Sequence, residues 1–207
     1  MKKVLIHGSG HQASSWREVV TYLDGRLDVL CPNLSTILDG KEASYTNLYS
    51  SFVEYCNQID GKIDLWGLSL GGILALNYAL DFPDQVNKLV LIGTPYKVPK
   101  LMFRIQNVIF KFLPKSLFES MAFNKKDTFI LGDSMKNLDF SDRIQDISCP
   151  VLIICGEKDR ANLKSACYLS QNIYNSQLKM IDKAGHILNE EKPQELANLL
   201  NNFLKEE

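Results

Sequence analysis

One short stretch restricts the folding options of this chain more than any other: Trp66-Gly67-Leu68-Ser69-Leu70-Gly71-Gly72, a serine flanked by glycines between two apolar runs. Before it, Lys62-Ile63-Asp64-Leu65-Trp66 reads as a short buried strand. After it, the run from Ile73 to Leu80 is too long for such a strand and reads as a buried helix. A strand that passes into a helix through a single serine needs a very tight turn. Glycines two residues to either side, Gly67 and Gly71, allow the backbones to approach that closely. Ser69 Oγ is then left exposed at the helix N-terminus, which makes it a candidate nucleophile.

Strand and helix patterns alternate along most of the chain. Strands are expected at Lys3–His7, Asp28–Cys31, Ile63–Trp66, Lys88–Ile92, Val151–Cys155 and Leu178–Ile181. Helices are expected at Ser15–Leu23, Ser44–Ile59, Leu70–Leu80, Leu163–Tyr174 and Pro193–Lys205. The last carries Pro193 at its first position and Leu196, Leu199, Leu200, Phe203 and Leu204 on one face. Ser15 with Glu18 three residues on has the spacing of a capping box. Repeated strand–helix units predict a three-layer α/β/α fold with a mostly or wholly parallel sheet of about six strands. The alternation breaks between Pro95 and Cys149, where the pattern is helical only. Leu101, Met102, Phe103, Ile105, Val108, Ile109, Phe110, Phe112 and Leu113 are apolar almost all around a helix. The expected organisation is a core of residues 1–95 and 146–207 with a helical lid, residues 96–145, inserted over the carboxyl edge of the sheet.

Composition narrows the function. The 207 residues carry a net charge of −1, so no electrostatic argument favours nucleic acid as a partner. No apolar run approaches the ~18 residues that span a bilayer, and the apolar stretch at Val4-Leu5-Ile6 ends too soon for a signal peptide. Five widely spaced cysteines without a CxxC pair read as reduced thiols in a cytoplasmic protein, not as a disulfide framework or a metal site. Gly8-Ser9-Gly10 lacks a third glycine and no P-loop lysine follows, so neither a nucleotide cofactor nor a metal is expected.

In an open α/β sheet, ligands sit beyond the carboxyl ends of the strands. Ser69 stands at such an end. Gly156-Glu157-Lys158-Asp159 after one strand and Asp182-Lys183-Ala184-Gly185-His186 after another bring Asp159 and His186 to the same edge. The chain order Ser…Asp…His, with Val4-Leu5-Ile6-His7-Gly8-Ser9-Gly10, Val90-Leu91-Ile92-Gly93-Thr94 and Glu191-Lys192-Pro193, resembles the α/β-hydrolase superfamily, in particular its single-domain, lid-bearing esterase-like members. The resemblance implies catalysis by Ser69, His186 and Asp159. It also implies an oxyanion hole formed by the backbone N–H of Leu70 and that of Ser9, with Gly10 the other candidate. Members usually carry two further strands before the His-Gly strand. His7 falls too early for them here, which trims the sheet without touching the triad.

Three residues border the expected site. His11 lies in the loop after the first strand, where it either contacts substrate or stands solvated. Met102 and Phe103 lie in the lid. Between Lys97 and Lys126 there are seven basic residues and one acid, Glu119. That surface reads either as attraction for anionic or lipid-like substrates or as solvated lysines on an outer helix face. The expected activity is cofactor-independent hydrolysis of small-molecule carboxylic esters or thioesters with apolar acyl groups. The same residues on this scaffold also serve C–C hydrolases and lyases, and a slow or non-catalytic ligand sensor keeps them too.

Overall fold

The buried apolar runs pair into one sheet because each is flanked by a segment long enough to cross over and return in parallel. The computed structural model describes residues 1–24, 28–98 and 121–205. Its strands are β1 (Lys2–Ile6), β2 (Val29–Leu30), β3 (Ile63–Leu68), β4 (Val86–Ile92), β5 (Val151–Gly156) and β6 (Ser176–Ile181). They stand in the order β2-β1-β3-β4-β5-β6, every neighbour parallel. The described helices are α1 (Arg17–Thr21), α2 (Leu34–Ile37), α3 (Tyr45–Cys56), α4 (Leu70–Asp81), α5 (Lys125–Met135), α6 (Leu163–Asn172), α7 (Leu188–Glu191) and α8 (Pro193–Lys205).

Alternate residues of the central strands feed two apolar layers. Val4, Ile6, Leu65, Leu89, Leu91 and Ile153 face one layer, covered by α2 to α6. Leu5, Trp66, Leu68, Val90, Ile92, Leu152 and Ile154 face the other, covered by α1, α7 and α8. The expected three-layer parallel architecture of six strands is the one found.

Local expectations fared unevenly. The predicted first helix is a 3₁₀ turn at Ala13–Trp16 followed by one turn of α-helix, and the Ser15–Glu18 capping box does not form. Ser15 lies inside that 3₁₀ turn, and its buried hydroxyl has no hydrogen-bond partner among the described residues. Ser44 does cap α3, accepting from the Asn47 N–H at 3.3 Å. Two helices of four residues each, α2 and α7, were not expected.

The chain runs from β1 outward to β2, then returns to the opposite side of β1 as β3. Strand order therefore reverses at β1/β3, and at such a reversal two loops part and open a crevice at the carboxyl edge. The loop after β1 and the β3–α4 turn border it. The chain after β4 makes a short antiparallel contact with the segment before β5. The Val98 N–H donates to the Leu138 carbonyl, the Phe140 N–H donates to Tyr96, both at 3.0 Å, and Lys97 bridges Asp139.

Candidate active site

Ser69 is the single residue between β3 and α4, with φ 54° and ψ −111°. That positive φ is strained for any residue with a Cβ, and such strain persists only where the surroundings over-determine it. They do so here. The Ser69 N–H donates to the Ile92 carbonyl at 2.9 Å, and the Ser69 carbonyl accepts from Ile73 at 3.0 Å. A Cβ on Gly67 would run into the Gly71 backbone, and one on Gly71 into the Ile6 carbonyl. Both glycines are thus required by close approach. The Leu70 N–H, first in α4, belongs to the set that has no acceptor inside the helix.

His186 and Asp159 come from the loops after β6 and β5. These loops lock together: the Lys158 N–H donates to the Ala184 carbonyl at 2.8 Å, and Gly156 is pressed against the backbone of Ala184 and Gly185. His186 Nδ1 lies 2.7 Å from Asp159 Oδ2, with the carboxylate side chain 4% and the imidazole 37% exposed. Such a pair sets the tautomer, with the proton on Nδ1 and the lone pair on Nε2. Burial works against the ionised Asp159. The hydrogen bond and charge of His186 and the donors of Asn162 outweigh it and hold the carboxyl below its ordinary range.

Gly93 joins this pair to the elbow. It follows Ile92, the residue that accepts the Ser69 N–H. A Cβ placed on it would stand 2.9 Å from His186 Nδ1 and 3.2 Å from Asp159 Oδ2. With φ at 52°, it is a position where glycine serves both backbone conformation and space. Ser69, Asp159 and His186 therefore gather at the carboxyl edges of β3, β5 and β6, around the end of β4.

On the other side of Ser69 the chain turns at Gly8–His11, with Ser9 and Gly10 in the turn and the His11 N–H donating to the Gly8 carbonyl at 3.2 Å. His11 Nε2 lies 3.7 Å from Glu190 Oε1. His7 is buried beneath this turn: Nδ1–H donates to the Gly8 carbonyl at 2.8 Å, and Nε2 accepts from the Leu34 N–H at 3.0 Å. The segment before α5 touches the same loop, the Ala122 N–H donating to the His11 carbonyl at 3.1 Å. Met102 and Phe103 lie outside the described residues, as does most of the basic stretch around them. Among the described residues no three His, Cys, Asp or Glu side chains come together as a metal set.

Two residues at this edge were given no role in the sequence reading. Asn162 Nδ2 donates to both Asp159 oxygens, at 3.0 and 2.9 Å, and its backbone N–H reaches Oδ1 at 3.3 Å. The Asp-x-x-Asn spacing carried that signal, as a side chain capping the turn that follows it. Glu191 accepts the Gly185 N–H at 2.7 Å and the Ile187 N–H at 3.1 Å, so one carboxylate clasps both neighbours of His186.

The family model described as "Alpha/beta hydrolase family" matches residues 4–199. Among sequence relatives, 2-hydroxy-6-oxononadienedioate/2-hydroxy-6-oxononatrienedioate hydrolase 1 of Pseudomonas putida is 29% identical over 88% of this chain and 80% of its own. The pimeloyl-[acyl-carrier protein] methyl ester esterase of Legionella pneumophila is 24% identical over 90% of this chain and 88% of its own. Among solved structures, a thermophilic esterase from Thermogutta terrifontis superposes with a TM-score of 0.82 at 21% identity, covering 99% of this chain and 89% of that one. The six-stranded parallel sheet, the serine elbow and the family match over nearly the whole chain agree: this protein belongs to the alpha/beta hydrolase family and is an enzyme of that class.

Proposed function

We propose that the protein is a serine hydrolase that cleaves small carboxylic esters or thioesters through an acyl-enzyme, with Ser69 as nucleophile, His186 as base and acid, and Asp159 as the orienting carboxylate. The observation that carries this reading is the His186–Asp159 pair at 2.7 Å, held across Gly93 from a strained serine elbow. With its Nδ1–H donated to the Asp159 carboxylate, His186 Nε2 takes the Ser69 proton as Oγ attacks the acyl carbonyl. The resulting oxyanion meets the N–H groups of Leu70 and Ser9, with Gly10 the alternative to Ser9. His186 returns its proton to the departing alcohol or thiol. Water, deprotonated by His186, then releases the acid and restores Ser69.

In this reading residues 96–145 form the lid and 1–95 with 146–207 the core, and the contact of Lys97 with Asp139 brings the two ends of the lid together. His11, Met102 and Phe103 contribute to the substrate pocket. The five cysteines are free thiols, which suits a reducing, cytoplasmic compartment. Among the described residues no helix is long and apolar enough to cross a membrane.

Steady-state hydrolysis of p-nitrophenyl esters from acetate to laurate, in wild type and Ser69→Ala, tests the reading. The expected result is turnover in the wild type that drops by at least about a thousandfold in Ser69→Ala. Equal rates in the two proteins overturn it. A second reading, C–C bond hydrolysis, is favoured by the Pseudomonas putida relative. It gains if the esters are inert while 2-hydroxy-6-oxononadienedioate is cleaved in a Ser69-dependent way.

A further inference from the structure

One buried polar atom beside the elbow has no partner among the described residues: His11 Nδ1. The Gly8–His11 turn brings this ring back toward Ser69. A Cβ built on Gly8 would stand 3.4 Å from His11 Nδ1 and 3.6 Å from Ser69 Cβ, so both flank the same glycine. The His11 side chain is only 14% exposed. Buried ring nitrogens are nearly always hydrogen-bonded, and one left open at the edge of a candidate site calls for an explanation.

The far side of the ring supplies part of it. His11 Nε2 faces Glu190 Oε1 at 3.7 Å, and Glu190 sits on α7, one residue from the Glu191 that clasps the His186 loop. A carboxylate on the Nε2 side favours the tautomer with its proton there, which leaves the Nδ1 lone pair as an acceptor. Burial keeps this ring neutral by pulling its pKa below the ordinary histidine value. Glu190 pulls it up, and the neighbouring His186 adds to the lowering. The open position therefore wants a hydrogen-bond donor from the ligand. Ether, carbonyl and carboxylate oxygens have no proton to give. An ammonium group would stand in the field of the His186 imidazolium that forms during acyl transfer and would oppose it. A hydroxyl group meets both conditions.

We propose that His11, oriented by Glu190, is a specificity residue whose Nδ1 accepts a hydrogen bond from a hydroxyl group that the substrate carries close to its scissile carbonyl. This rests on the serine-hydrolase reading and sharpens its substrate class from plain alkyl esters to hydroxylated ones. The hydroxyl belongs either to the acyl half or to the alcohol half. Both place an O–H within a few bonds of the carbonyl that Ser69 attacks.

The test compares matched substrates. On the acyl side they are the p-nitrophenyl esters of 3-hydroxybutyrate, 3-methoxybutyrate and butyrate. On the alcohol side they are 2-hydroxyethyl butyrate, 2-methoxyethyl butyrate and propyl butyrate. In one of the two series kcat/KM should favour the hydroxylated ester over both analogues by about tenfold or more in the wild type. That ratio should shrink to within about twofold in His11→Leu and in His11→Phe, and should fall in Glu190→Ala. The series that shows the ratio locates the hydroxyl. Equal kcat/KM within both series overturns the inference while Ser69-dependent turnover leaves the hydrolase reading intact. A ratio that survives both His11 variants overturns it as well, because another group then reads the hydroxyl. Should no ester be turned over, the hydrolase reading fails and titration of Ser69→Ala with the same esters decides. Tighter binding of a hydroxylated ester supports the His11 site, and equal affinities overturn it.

Discussion

His7 shows how a single side chain under the candidate site ties stability to pH. It is fully buried, gives its one proton to the Gly8 carbonyl and uses its other nitrogen to accept from Leu34. A second proton would remove that acceptor and charge a ring that has no ion-pair partner among the described residues. Burial is the main cause pushing its pKa down to about 4, with His11 a smaller one; the Gly8 and Asn33 hydrogen bonds act in the other direction. In the unfolded chain the ring titrates near 6.5. The unfolded state thus binds the extra proton first. Stability is unaffected by His7 above pH 6.5, declines as pH falls through the window to about 4, and is fully lowered below it. The total is about 3 kcal/mol. Urea denaturation at stepped pH should show this slope in the wild type and lose it in His7→Gln, whose amide keeps a donor and an acceptor. Parallel curves for the two proteins would remove His7 as the cause. The strand-end positions of Ser69, Asp159 and His186 were legible because each stands in a motif punctuated by glycine. Asn162 left only its Asp-x-x-Asn spacing, and Glu190 left no mark at all, because its approach to His11 joins segments far apart in the chain.

Among the elements, the shortest ones escaped the sequence for a physical reason. A four-residue helix cannot display a 3.6-residue apolar period, and it is held by its ends instead of its face. The Asn33 side chain caps α2, accepting from Ser35 at 3.3 Å, while His7 takes the Leu34 N–H. The helix α7 is fixed from within, its Glu191 reaching back to the Gly185 and Ile187 N–H groups. The long, strongly periodic α8 was legible to its last described residue, and so were the buried strands, because burial on both faces imposes an unbroken apolar run. Glu191 is a positioning residue for His186 and touches no reacting group in this reading. Glu191→Ala frees two N–H groups and loosens the loop that aims Nε2. The expected loss is about 10- to 100-fold in kcat on p-nitrophenyl esters with KM nearly unchanged. Glu191→Gln retains one accepting oxygen and should recover part of kcat. A rise in KM at constant kcat would mean that Glu191 contacts substrate instead.

At the scale of the whole molecule, the two faces of the sheet divide the labour unequally. Five of the described helices cover one face, while α1, α7 and α8 alone cover the other, and that second face carries the loop of His186. On it α8 is the main cover. Leu196, Ala197, Leu200 and Phe203 are buried against Leu5, Trp66, Val90 and Leu152, and Asn201 exchanges hydrogen bonds with the backbone of Tyr22 and Asp24, both at 2.9 Å. The start of α8 is continuous with α7 through the Leu196 N–H, which donates to the Lys192 carbonyl at 2.9 Å. Packing of α8 therefore supports the loop that presents His186, although no α8 side chain is among the proposed site residues. Leu200 has no exposed surface, and its removal opens a cavity between α8 and the sheet. Leu200→Ala should cost about 3 kcal/mol. The urea midpoint should fall with an unchanged m value, because the fold still unfolds as one unit. Activity on esters at a temperature well below the new midpoint should stay near that of the wild type, and on heating it should disappear together with the folded signal. Loss of activity well before unfolding would mean instead that α7 and the His186 loop detach as a separate, weaker unit of the second face.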